Sequence, residues 1–296
     1  MKLSLDQLPN YITIADARSS WYTEPTNTFD FVDRNSTTLV VTIGDSWTWG
    51  TDLDPNAWQV QGSAYAVTEQ QQRINQTRID HCYGNLIADQ LSADWLNLSL
   101  SAVGNFWIAT RAEELARIIP KLDYKKIIVI CAFSPAGRWF NTQYDRHIDY
   151  VEWFKHNSDY DQLLARLNSE CVARIQQALD LDHVQLLFGT TWADACGLDQ
   201  VPEKQLLARP WYTLLDCGTS PTTYFCHYHE RLSSATEFMP PDQHKQFKQW
   251  FLHTVDATTQ RLELLKDPEK FNNSHPTAAG HRLWADYILK HLCDYT

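Results

Sequence analysis

The sequence predicts an α/β fold, a three-layer α/β/α arrangement with a central parallel sheet covered by helices on both faces. Three observations carry that prediction. Apolar runs of strand length recur along the chain, helical spacing of apolar residues follows them in turn, and the β-branched run at 38–43 and the largely apolar run at 126–133 fit buried parallel strands.

Taken in order, Thr38-Leu39-Val40-Val41-Thr42-Ile43 is a β-branched strand that runs into Gly44-Asp45-Ser46, so a serine stands where a buried strand enters a glycine-bearing turn. A polar stretch follows, and residues 83–91 then read as a short amphipathic helix. Strand character returns at 95–99. Residues 109–119 show helical spacing and stop at Pro120, 126–133 is the next strand, and Leu163, Leu164, Leu167, Cys171, Val172, Ile175 and Leu179 trace one face of a helix over 160–181. A strand over 184–188 precedes Gly189. In such a sheet, sites gather at the carboxyl ends of strands, where the Ser46, Gly104 and Ser134 regions emerge.

Residues 1–36 are polar and aromatic without a period, and are expected to wrap the domain as an N-terminal extension. Residues 37–296 form the domain. Within it, 190–273 is an insertion rich in Trp, Tyr, Pro and His, with a helix predicted over about 243–265, expected to form a lid or rim.

Composition excludes several classes. With 44% hydrophobic residues and 12 Trp, 13 Tyr and 12 Phe, the chain of 296 residues has apolar surface enough for a core, which argues against disorder. A net charge of −11 with no basic cluster repels phosphate backbones and argues against nucleic acid as a partner. No apolar run is long enough to span a bilayer, and the N-terminus lacks the continuous apolar stretch of a signal peptide. A soluble chain made in a cytoplasm is expected, and release inside a virus particle is a route such a sequence leaves open. Seven cysteines, scattered without C-x-x-C spacing, fit free thiols better than a disulfide framework.

Far downstream of Ser46, His275-Pro276 opens a helix-like stretch over 277–287. Serine with a spatially adjacent histidine is the minimal acyl-transfer pair, because a hydroxyl is a poor nucleophile until a base takes its proton. That chemistry calls for no metal and no cofactor.

The segment Gly44-Asp45-Ser46-Trp47-Thr48-Trp49-Gly50, together with His275-Pro276, Gly280-His281 and Trp284-Ala285, resembles the SGNH (GDSL) hydrolase superfamily of esterases, lipases and carbohydrate acetylesterases, over roughly residues 37–292. The resemblance implies a flavodoxin-like fold with Ser46 as nucleophile and His275 as general base. It also implies an oxyanion hole built from the Ser46 N–H and a glycine N–H after the second strand, for which Gly104 is the natural choice although the interval from Asn97 points nearer Ala102. Asn105 is a further side-chain donor. The asparagine the family carries after its third strand is missing from Phe133-Ser134-Pro135-Ala136-Gly137-Arg138; the Ser134 hydroxyl or the Arg138 guanidinium takes its place, or Arg138 grips an anionic group. Asp45, Trp47 and Arg138 are assigned to substrate binding.

Three residues before His275, where the family has an aspartate, stands Asn272. A neutral amide orients an imidazole but does not stabilise an imidazolium as a carboxylate does. A Ser46–His275 dyad helped by Asn272 or a backbone carbonyl is one outcome, with Asp267 and Glu269 as substitutes. A catalytically weakened fold used as a glycan-binding or structural module is the other. For an active enzyme the resemblance favours a small-molecule or glycan ester, an O-acetyl group on a carbohydrate first and a lipid ester or thioester second. His281 reads as a packed helix residue, and Cys226-His227-Tyr228-His229 as structural rather than a metal site.

Overall fold

The computed structural model describes residues 30–50, 53, 76–100, 103–134, 160–191, 197–208, 211, 271–272 and 275–295. They form a mixed α/β structure around a five-stranded sheet. The strands are β1 (Asp30–Val32), β2 (Thr38–Gly44), β3 (Asp94–Asn97), β4 (Lys126–Phe133) and β5 (Val184–Thr190), in the spatial order β1-β3-β2-β4-β5. β2 pairs in parallel with β3 and β4, β4 in parallel with β5, and β1 lies antiparallel along β3. The helices are α1 (Ser46–Trp49), α2 (Tyr83–Gln90), α3 (Asn105–Ile118), α4 (Tyr160–Ala178) and α5 (Ala278–Asp294). A two-residue ladder, β6 (Phe271–Asn272) against β7 (His275–Pro276), precedes α5.

The absence of alternation in β2 and β4 has a direct cause. Leu39, Val41, Ile43, Ile127, Val129 and Cys131 pack with Ile108, Ala112 and Leu115 of α3 and Val172 and Ile175 of α4. Val40, Ile128 and Ile130, which project the other way, pack with Ile87 of α2 and Trp284 and Ile288 of α5. A strand covered on both sides cannot afford polar alternation. The one buried polar residue of β2, Thr42, is paired: its hydroxyl donates to Asn97 Oδ1 at 3.2 Å and accepts from Trp95 Nε1 at 3.3 Å.

α3 begins four residues before its apolar spacing predicts, because Gly104 caps it and its first turn carries Phe106, 41% exposed, outside the apolar stripe. α5 runs to Asp294, past the predicted stretch. β1 was not predicted, since three residues show no period. It is held by Arg78, whose guanidinium pairs with Asp30 and lies 4.2 Å over the Trp49 ring, linking the sheet edge to α1. Arg138, most of the 190–273 insertion including the predicted helix over 243–265, and the Cys226-His229 stretch lie outside the described residues, as does the extension up to residue 29. Among the described residues no helix is long and apolar enough to cross a membrane.

Gly44 is set by close approach rather than by an unusual backbone angle. A Cβ there would lie 2.2 Å from Thr48 Oγ1 and 3.0 Å from the Ala132 carbonyl oxygen. Gly44→Ala is therefore expected to push α1 off the end of β2, costing roughly 1–3 kcal/mol by overpacking, as read from denaturant midpoints.

Candidate active site

Ser46 is the first residue of α1, and Asp45 is its N-cap, with one carboxylate oxygen accepting from the Trp47 N–H at 3.0 Å. Gly50, in the left-handed region at φ 87°, closes the helix after one turn by donating to the Ser46 and Trp47 carbonyls. The first amides of a helix have no acceptor within it, so the Ser46 N–H is not used by α1 itself.

β7 and α5 bring the base. Thr277 caps α5 and accepts from the Gly280 N–H, which puts His275 just ahead of the cap. His275 Nε2 lies 3.0 Å from Ser46 Oγ, across 229 residues of sequence. When Nε2 is the unprotonated ring nitrogen, the Ser46 hydroxyl donates to it, which is the geometry general-base activation requires. Asn272 is the register partner of His275 in the ladder.

Residues after β2, β3 and β4 meet at Ser134. The parallel ladder of β3 continues past its end, with Leu98 N–H donating to the Thr42 carbonyl and Leu100 N–H to that of Gly44. Ser134 Oγ lies 2.8 Å from both Asp45 Oδ2 and the Val103 carbonyl oxygen. One hydroxyl carries one hydrogen, so this is a three-centre bond. The side-chain amide of Asn105 donates to the Ser134 carbonyl at 3.0 Å and to Asn168 Oδ1 at 2.9 Å.

Several expectations change here. Ser134 and Asn105 were expected to present donors to an oxyanion. Instead, the Ser134 hydroxyl is turned to Asp45 and Val103, and both amide hydrogens of Asn105 are engaged inside the protein. Asp45 and Trp47, expected at the substrate, are 0% and 1% exposed. The carboxylate is occupied by the cap and by Ser134, and the Trp47 indole packs edge-on against Trp211 at 5.4 Å. The network of Asn168, Val103 and Ser134 was not foreseen, because its members touch only after the strands are in register.

Two thiols near the sheet, Cys82 and Cys131, are disfavoured as nucleophiles by burial. Cys82 donates to the Thr48 carbonyl and its thiol is pushed up to about 12, chiefly by burial; Cys131 is raised further for the same reason. His281 is fully buried, accepts from the Tyr83 N–H through Nδ1 at 3.1 Å, and packs edge-on against Trp211. Burial, with smaller contributions from His275 and His81, pulls it from 6.5 down to about 3. An unfolded chain binds the proton that folded His281 refuses, so its contribution to stability is complete above about pH 6.5 and is lost as pH falls toward 3. His281→Asn, which keeps an acceptor for Tyr83, is expected to flatten the fall in Tm between pH 6.5 and 4, measured by calorimetry.

No protein family matches the chain, and no curated protein does. Two solved structures of a family two carbohydrate esterase from Clostridium thermocellum are similar to it: an active-site mutant at 11% identity with a TM-score of 0.35, and a form in complex with cellohexaose at 12% identity with a TM-score of 0.34. Each similarity covers 87% of this chain, but only 63% and 64% of the two solved chains. At these TM-scores the likeness carries no argument about fold or function.

Proposed function

We propose that the chain is a serine esterase of the SGNH type, a three-layer α/β/α fold that hydrolyses an ester through an acyl-enzyme. The observation that carries this reading is the 3.0 Å approach of His275 Nε2 to Ser46 Oγ at the end of a buried strand. His275 takes the Ser46 proton as Oγ attacks the ester carbonyl, and the N–H groups of Ser46 and Gly104 hold the oxyanion. The imidazolium then gives that proton to the departing alkoxide; His275 next deprotonates a water that attacks the acyl carbonyl, and returns this proton to Ser46 Oγ as the acid leaves. An O-acetyl group on a carbohydrate is the substrate class favoured by the resemblance in the two sequence motifs.

A second reading rests on Asn272. Serine proteases whose triad aspartate becomes asparagine lose about 10⁴ in turnover, so this site in its weakened form would serve binding or structure, in a virus particle for instance. Intact mass after treatment with a fluorophosphonate probe separates the two. A single adduct supports the esterase and directs a screen of acetylated glycans against acyl lipids. Folded protein without an adduct supports the binding or structural module.

A further inference from the structure

We propose that Ser134 is a positioning residue that holds the Val103–Gly104 peptide so that the Gly104 N–H points to the oxyanion; this rests on the esterase reading. The described chain has no cis peptide bonds, and in a trans peptide the C=O and the following N–H point opposite ways. The Val103 carbonyl is tied inward, 2.8 Å from Ser134 Oγ, beside an Asp45 carboxylate that is 0% exposed. The Gly104 N–H is thereby turned away from that buried carboxylate.

The grip has two points. Ser134 Oγ holds the carbonyl before Gly104, while the Ser134 carbonyl accepts from the side chain of Asn105, the residue after it. Gly104 between them caps α3 in an extended conformation, φ −105° and ψ 177°, with no side chain to obstruct its amide. A carbonyl that accepts a hydrogen bond polarises its amide, which makes the N–H on the same peptide a stronger donor. The same serine reaches the other donor, because the Asp45 carboxylate it touches also caps the first turn of α1, where the Ser46 N–H lies. Ser134 therefore acts on the oxyanion through a neighbouring peptide rather than by touching it.

The test compares Ser134→Ala and Ser134→Thr with the unaltered chain in two readouts, fluorophosphonate labelling kinetics and the amide resonance of Gly104 in ¹⁵N-labelled protein, after thermal unfolding confirms that both variants fold. Ser134→Ala is expected to lower the maximal labelling rate about 100-fold with apparent probe affinity unchanged, and to move the Gly104 resonance. Ser134→Thr is expected to restore both. A slowed rate with the Gly104 resonance unmoved makes Ser134 a direct donor and overturns the proposal, as does a moved resonance with an unchanged rate. An unaltered chain that takes no probe overturns the esterase reading and the oxyanion role with it, while the Gly104 resonance still decides whether the peptide is gripped.

Discussion

Ser46→Ala is expected to abolish fluorophosphonate labelling, leaving a single unmodified mass where the unaltered chain carries one adduct. The phosphorus accepts an oxygen nucleophile only when a base removes its proton, and His275 Nε2 at 3.0 Å is placed to do so. His275→Ala is expected to fall nearly as far, since removing either member of such a pair costs on the order of 10⁶ in turnover and the two losses do not add. The double variant should therefore resemble either single one. Labelling that survives in Ser46→Ala would place the nucleophile elsewhere and end the proposed mechanism. The buried thiols are poor alternatives, because neither Cys82 nor Cys131 reaches the thiolate form near neutral pH.

Trp284→Ala carries the largest expected loss of stability, about 3–5 kcal/mol, as a fully buried aromatic leaves a cavity that its neighbours fill only in part. Its ring stacks on Trp211 at 5.5 Å and 8° and on Tyr287 at 5.4 Å, and a Cβ on Gly189 would come within 3.1 Å of it, so β5 and α5 meet at this side chain. For a chain of this size the cost corresponds to a fall in Tm of roughly 10 °C. Because α5 follows directly on His275, labelling should weaken as well, through loss of the base's placement. Trp284→Phe is the control: the buried indole nitrogen has no hydrogen-bond partner among the described residues, so the smaller ring forfeits contacts but no bond there. A Tm unchanged in Trp284→Ala would show that α5 is not anchored through this ring.

Much of the sheet was legible in the sequence because burial on both faces writes itself as unbroken apolar runs. β4 matches its predicted span, and β2 and β5 each extend one or two residues beyond theirs. β1 was not legible, since three residues have no period and their place is set by pairing with β3 and by Arg78. The nucleophile candidate was legible for a local reason: a strand of β-branched residues runs directly into a glycine-bearing turn that ends in a serine. The roles of the side chains around it were not. Asp45, Trp47, Asn105 and Ser134 have the polar or aromatic character that suits a substrate or an oxyanion, and nothing local shows that each finds a partner inside the protein.

The sequence by itself determined the longer strands and helices of the sheet, and that a serine and a histidine stand at the borders of two segments, because hydrophobic period acts over a few residues. Only the tertiary structure decided that those two residues meet at 3.0 Å and that Ser134 turns to Asp45 and Val103. Hydrogen-bond partners 29 to 229 positions apart are chosen by parallel register and helix docking, which no local pattern encodes.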